Sequence, residues 1–167
     1  MNCQPHNLLA RRLHQTAVFC LTHAPKLYVG WTGEKVFKWL AFQLLTGGLV
    51  VVGSRDIEGV LIAWPDSAEE ILRRERTGEF HFNWRRPMPM AEADALLIAD
   101  VIVKSSAHFG KSEIVSRLVQ KATARWPDWK LRRIFTHRSK PHGPDTLVEL
   151  TPRLIKRFLA HVQALHT

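Results

Sequence analysis

Apolar residues recur along the first stretch of the chain at three- and four-residue steps: Leu8, Leu9 and Leu13, then Ala17, Val18 and Leu21. That is the spacing of one helix face, and Pro25 ends or kinks the helix. A second helix is expected from Glu34 to Leu45, with Val36, Phe37, Leu40 and Leu44 on one stripe and Gly47 and Gly48 as its stop. Trp39 and Phe42 read as core packing. Leu49 to Val52 and Ile57 to Trp64 are rich in β-branched residues and flank residues 53–56, the pattern of an antiparallel hairpin. A polar helix, Ser67 to Arg76, then leaves the sheet.

The segment from Gly78 to Met90 combines Phe80, Phe82 and Trp84 with Arg85, Arg86, Pro87 and Pro89. It reads as a further strand ending in a loop and as a surface element for a partner. Ala95 to Val103 is nearly all apolar, the signature of a central strand buried on both faces, with Asp100 as its one carboxylate. A helix from Ser112 to Arg125 follows, with Ile114, Val115, Leu118, Val119 and Ala122 inward and Trp126-Pro127 closing it. A strand from Leu131 to Thr136, a Pro/Gly-rich turn from Ser139 to Asp145, a short strand from Thr146 to Leu150 and a helix from Pro152, capped by Thr151, complete the chain. The order predicts an α/β (α+β) domain with a single mixed sheet.

Composition adds a partner class to this outline. The chain has 167 residues, 46% hydrophobic and 23% charged, which suits one packed domain and is too apolar for a disordered chain. Against 15 Asp and Glu stand 24 Lys and Arg, a net charge of +9, and the isoelectric point is near 10.2. The surface therefore favours an anionic partner: nucleic acid, anionic lipid or an acidic protein. No apolar run approaches the roughly 20 residues of a membrane helix, and Arg11 and Arg12 interrupt the N-terminal leucines before a signal peptide could form. Cys3 and Cys20 form no CxxC pair and are too few for a disulfide framework, so a reducing, cytoplasmic setting is expected.

Several motifs fail on spacing. Gly110-Lys111-Ser112 resembles the end of a phosphate-binding loop, but Ser105 stands where that loop needs glycine. There is no HExxH among the nine histidines, and His137 and His142 are expected as solvated residues of the Pro/Gly-rich turn, so no metal site is expected. No GxSxG elbow occurs. Asp100 carries more information, because an ionised carboxylate in an apolar strand costs several kcal/mol unless it is satisfied. Its partner is either an arginine or loop amide in a structural network, or a general base or nucleophile that it orients.

Ile98-Ala99-Asp100-Val101-Ile102 resembles the strand that carries the catalytic aspartate in the RTX toxin-activating lysine acyltransferases, whose fold is related to the GNAT acetyltransferases. Val18, Leu21, Leu27, Trp31 and Trp64 fall on the same residues of that family in a gapless overlay. Gly47-Gly48-Leu49 falls on its entry to the first strand, Trp126-Pro127-Asp128 on its aromatic-Pro-Asp helix end and Leu147-Val148-Glu149 on its last strand. The resemblance implies a GNAT-like domain over residues 1–167. It further implies an enzyme that moves a fatty acyl group from acyl carrier protein to a lysine of a protein substrate, with no permanently bound cofactor. Asp100 takes the place of the catalytic aspartate. The family histidine falls on Tyr28, and a tyrosine with its ordinary pKa near 10 is a poor base. His23, five residues earlier, serves only if the helix end is reshaped; His14 and His108 are remoter. Loss of the chemistry, leaving an inert binding protein, is the alternative. Acyl carrier proteins are acidic, so Arg85, Arg86, Lys104 and Lys111, with Arg132 and Arg133, are candidate docking cations. A homodimer is compatible with these features. A nucleic-acid binder using Phe80, Phe82 and Trp84 as stacking groups is the reading from another class.

Overall fold

The helical stripes and β-branched runs fold in the order in which they occur, in a computed structural model that describes residues 5–79, 87–104, 111–140, 143–153 and 156. Helix α1 (Pro5–His23) leads through a 3-10 turn (Pro25–Tyr28) into α2 (Gly33–Leu45); β1 (Leu49–Val52) and β2 (Gly59–Asp66) form the expected hairpin. Then come α3 (Ala68–Thr77), β3 (Ala95–Val103), α4 (Lys111–Arg125), a 3-10 turn (Trp129–Leu131), β4 (Arg133–Lys140) and β5 (Gly143–Leu150). The five strands lie in one sheet in the order β1-β2-β3-β4-β5. Among the described residues only β3 and β4 pair in parallel, with α4 as the crossover; the other pairs are antiparallel. This is the single mixed, mostly antiparallel sheet with flanking helices expected of a GNAT-like α/β domain.

Local chemistry sets the helix ends. Thr32 caps α2 by accepting the Lys35 amide at 3.2 Å, and Ser67 caps α3 by accepting the Glu70 amide at 3.0 Å. Glu69 and Glu70 lie in the first turn of α3 and Arg74 and Arg76 in its last, aligned with the helix dipole. Gly78 ends α3 with φ +70°, a left-handed conformation that costs glycine nothing. Trp126 follows α4 with its amide donating to Ala122.

Two apolar layers cover the sheet. On one face Leu13, Ala17 and Cys20 of α1, Val36, Trp39 and Leu40 of α2 and Ile71 of α3 pack on Val60, Ile62, Leu97 and Phe135. On the other, Ile114, Leu118 and Ala122 of α4 pack with Trp126 and Trp129 on Leu61, Ala63, Leu96 and Ile134. Gly59 permits this approach, since a Cβ there would lie 2.7 Å from Cγ2 of Ile114.

Three expectations are corrected. The buried face of α1 runs through Leu13, Thr16, Ala17 and Cys20, whereas Leu8, Leu9 and Val18 are exposed; the partner surface, not the chain's own leucines, selects the face. Strand β3 is buried on both faces only at its start, and Val101 is 51% exposed. The expected turn at residues 139–145 is narrower, because β4 continues to Lys140 and β5 begins at Gly143, so His137 is a strand residue. Of the segment Gly78–Met90, expected as a strand ending in a loop, residues 80–86 lie outside the described residues, and 78–79 and 87–90 are not in a strand. Pro152, Arg153 and Lys156 are helical, and the remainder of the expected last helix lies outside the described residues.

Candidate functional site

The parallel ladder between β3 and β4 stops at the pair Ile98 and Thr136, although β3 runs on to Val103 and β4 to Lys140. Beyond that pair the two strands no longer pair, which leaves a gap in the ladder. The pairing of β3 with β2 changes register at the same level: Ala63 faces Ile98, but its neighbour Ile62 faces Asp100. Ala99 is thus an extra residue, a β-bulge of the kind that re-aims side chains next to functional sites. Leu96 and Ile98 before it face α4. After it Asp100 joins Ile62 and Ile102 on the face covered by α1 and α2, while Val101 returns to the α4 side.

On that face Asp100 meets Tyr28. The 3-10 turn after α1 brings the buried Tyr28 ring against the sheet, where its hydroxyl donates to Oδ2 of Asp100 at 3.4 Å. Trp31 meets the ring edge-on at a centroid distance of 5.7 Å, and the aromatic set continues through Trp39 to Trp64. Cys20, fully buried on α1, is a close neighbour of the Tyr28 side chain. Its thiol is pushed up to about 12, first by burial, then against the pull of Tyr28 and with the help of the Asp100 charge. Cys20 is therefore an inert neighbour and no nucleophile.

Across the gap stands His137 of β4, on the same sheet face. Its Nε2 lies 3.3 Å from Oε2 of Glu75, an ion pair when the imidazole is protonated and a neutral hydrogen bond otherwise. The other oxygen of Glu75 accepts the Leu147 amide of β5 at 3.3 Å, so this α3 carboxylate ties two strands together. Burial raises the Asp100 carboxyl to about 6, while the Tyr28 hydrogen bond and the His137 charge pull it down. Burial, followed by the Asp100 charge, raises Tyr28 well above its ordinary value, so its hydroxyl keeps its proton and acts only as a donor.

A carboxylate near 6 is largely ionised at neutral pH, yet accepts a proton readily. Asp100 itself thus has the properties of a general base, with Tyr28 holding it. Among the described residues its hydrogen-bond partner is the neutral hydroxyl of Tyr28.

The other candidates lie elsewhere. His23 is exposed at the end of α1, its ring 4.5 Å from Phe19, and lines an open cleft of about 400 Å³ with His14, Asp56 and Lys104. The structure brings Tyr28, and not His23, to Asp100. The Lys104 amide donates to the Glu58 carbonyl at 2.8 Å, and Lys111 opens α4. Arg85, Arg86, His108 and His142 lie outside the described residues. Arg132 donates to the carbonyls of Ala93 and Met90, and Arg133 grips both oxygens of Glu149 at 2.8 and 2.7 Å. Among the described residues no group of three or more His, Cys, Asp or Glu can hold a metal ion, and no helix is long and apolar enough to cross a membrane.

Sequence reasoning missed His137 and Glu75. Strand alternation carried one step past Thr136 places His137 with Phe135, on the Asp100 side; Glu75 has no local signal at all. Comparison with protein-family models, with curated proteins and with solved structures finds no match to this chain.

Proposed function

We propose that the protein is an acyltransferase that moves an acyl group from a thioester to an amine, with Asp100 as the base. The observation that carries this reading is the Asp100 carboxylate, raised to about 6 and held by Tyr28 beside the gap between β3 and β4. A lysine ammonium must lose its proton before it attacks, and a carboxylate so tuned accepts it. The amine nitrogen then adds to the thioester carbonyl carbon. As the tetrahedral intermediate collapses, the carbon–sulfur bond breaks, the nitrogen gives up its second proton, the leaving thiolate takes up that proton, and an amide remains. Backbone groups facing the gap are the donors for the developing oxyanion.

The resemblance to the toxin-activating lysine acyltransferases supports a fatty acyl group on acyl carrier protein as donor and a protein lysine as acceptor. A net charge of +9 suits docking of that acidic carrier, and the carrier implies a cytoplasmic site of action. The test is incubation with acyl carrier protein charged with a series of fatty acids and a lysine-bearing polypeptide, read by intact mass. Transfer is expected, with Asp100→Asn slower by at least about a hundredfold. No transfer at any chain length, or an Asp100→Asn variant as fast as the parent, overturns the reading.

A further inference from the structure

We infer that the cavity between α4 and the sheet is the binding site for an unbranched aliphatic chain, the hydrocarbon part of an acyl substrate. The cavity measures about 410 Å³, within the range of roughly 300 to 1,000 Å³ of small-molecule pockets. Ala63 and Ile98 of the sheet face Val119 and Ala122 of α4, and Trp126 and Trp129 line it further along. The Trp129 indole N–H is already donated to Thr123 at 3.0 Å, so it is not a donor for a guest. Thr136 is the one hydroxyl among the lining residues. Such walls offer a guest burial of carbon and almost no hydrogen bonding, which selects alkyl chains over polar ligands.

The position of the cavity identifies which alkyl chain it takes. Ile98, Val101 and Thr136 line it and also border the gap where the β3–β4 ladder ends. Asp100 stands between Val101 and the Ala99 bulge, on the opposite face. A carbonyl carbon beside Asp100 has the cavity within reach of its chain across the unpaired stretch of β3 and β4. Val101, 51% exposed, is the apolar side chain that such a chain passes first. This inference rests on the acyl-transfer reading for the origin of the chain, but the site is testable without turnover.

The experiment titrates the full chain with saturated fatty acids of six to sixteen carbons against a fluorescent alkyl probe. Affinity is expected to rise about fourfold per methylene until the cavity is full, then level off. Val119→Phe, at a half-buried position, shortens the longest chain that gains affinity. Val101→Glu, at the exposed mouth, weakens binding at least tenfold and leaves folding intact. No saturable binding, or binding that neither cavity variant changes, overturns the inference. Saturable binding sensitive to both, in a protein that transfers no acyl group, leaves the chain site standing while the acyl-transfer reading falls. Transfer whose chain-length preference is untouched by Val119→Phe does the reverse.

Discussion

The hydroxyl of Tyr28 and the carboxylate of Asp100, 72 residues apart in the chain, meet at 3.4 Å on the sheet face where the pairing of β3 with β4 has ended. Because burial holds the phenol in its protonated form, the hydroxyl serves as the hydrogen-bond donor that counteracts desolvation of the carboxylate.

Tyr28→Phe removes that donor and keeps the ring. Asp100 should then titrate higher, by on the order of one unit, since a hydrogen bond to a charged group is worth roughly 1.5 to 3 kcal/mol at best and this one is long. Carbon-13 NMR of the Asp100 carboxyl reads the shift directly. The acid limb of the transfer rate should move to higher pH by the same amount. A carboxyl that titrates unchanged in Tyr28→Phe means that the two groups are not coupled.

Asp100→Asn should stabilise the fold, and the pH dependence has a definite sign. The carboxyl rises from 3.8 to about 6 on folding, so between those values the native state holds more protons than the unfolded chain. Parent stability therefore falls as pH rises through this window and is flat above about 7. Asparagine still accepts from Tyr28 and carries no such penalty. Denaturant melts should show the two proteins alike near pH 3.5 and the variant ahead by on the order of 2 kcal/mol at pH 7. A constant difference across the range argues against a strained carboxylate.

Glu75→Ala should loosen the far side of the gap. The carboxylate holds His137 through one oxygen and the Leu147 amide through the other, each at 3.3 Å. Removing both contacts is expected to cost roughly 1 to 2 kcal/mol. Amide exchange at Leu147 should accelerate while exchange in α4, on the other face, stays at the parent rate. Equal acceleration in both places would mean that Glu75 acts on global stability alone.

Much of this arrangement is legible in the sequence where its cause is local. The end of α2 before Gly47 and Gly48, the β1–β2 hairpin and the closure of α4 at Trp126 each follow from a residue and its immediate neighbours. The face that a helix buries is set by its partner, which is why Thr16 and Cys20 turn inward while Leu8 and Leu9 do not. Asp100 stands out in an apolar run, but the side to which it points depends on the bulge at Ala99. That bulge exists only in the pairing with Ile62 and Ala63. The overlay put Tyr28, whose hydroxyl lies 3.4 Å from Asp100, in place of a histidine. It gave no hint of Glu75, an ordinary residue on a charged helix.

A second buried carboxylate allows a test of how this fold holds charge away from the gap. Asp66 ends β2 and Arg74 lies on α3; both side chains are 5% exposed, with 3.7 Å between them. Glu70 completes the set, accepting from Nε of Arg74 at 2.9 Å, and Asp66 also accepts the Ser67 amide through its other oxygen. Arg74→Met keeps the packing volume and leaves Asp66 without its cation, so a loss of about 3 kcal/mol is expected. The double variant Asp66→Asn, Arg74→Met retains the bond to Ser67 and carries no stranded charge. It should recover at least about 1 kcal/mol of the loss, because the cost of breaking a buried pair resides mainly in the charge left behind. Urea melts of the parent, both single variants and the double variant measure the coupling. Strict additivity would show that the two groups are solvated independently despite their burial.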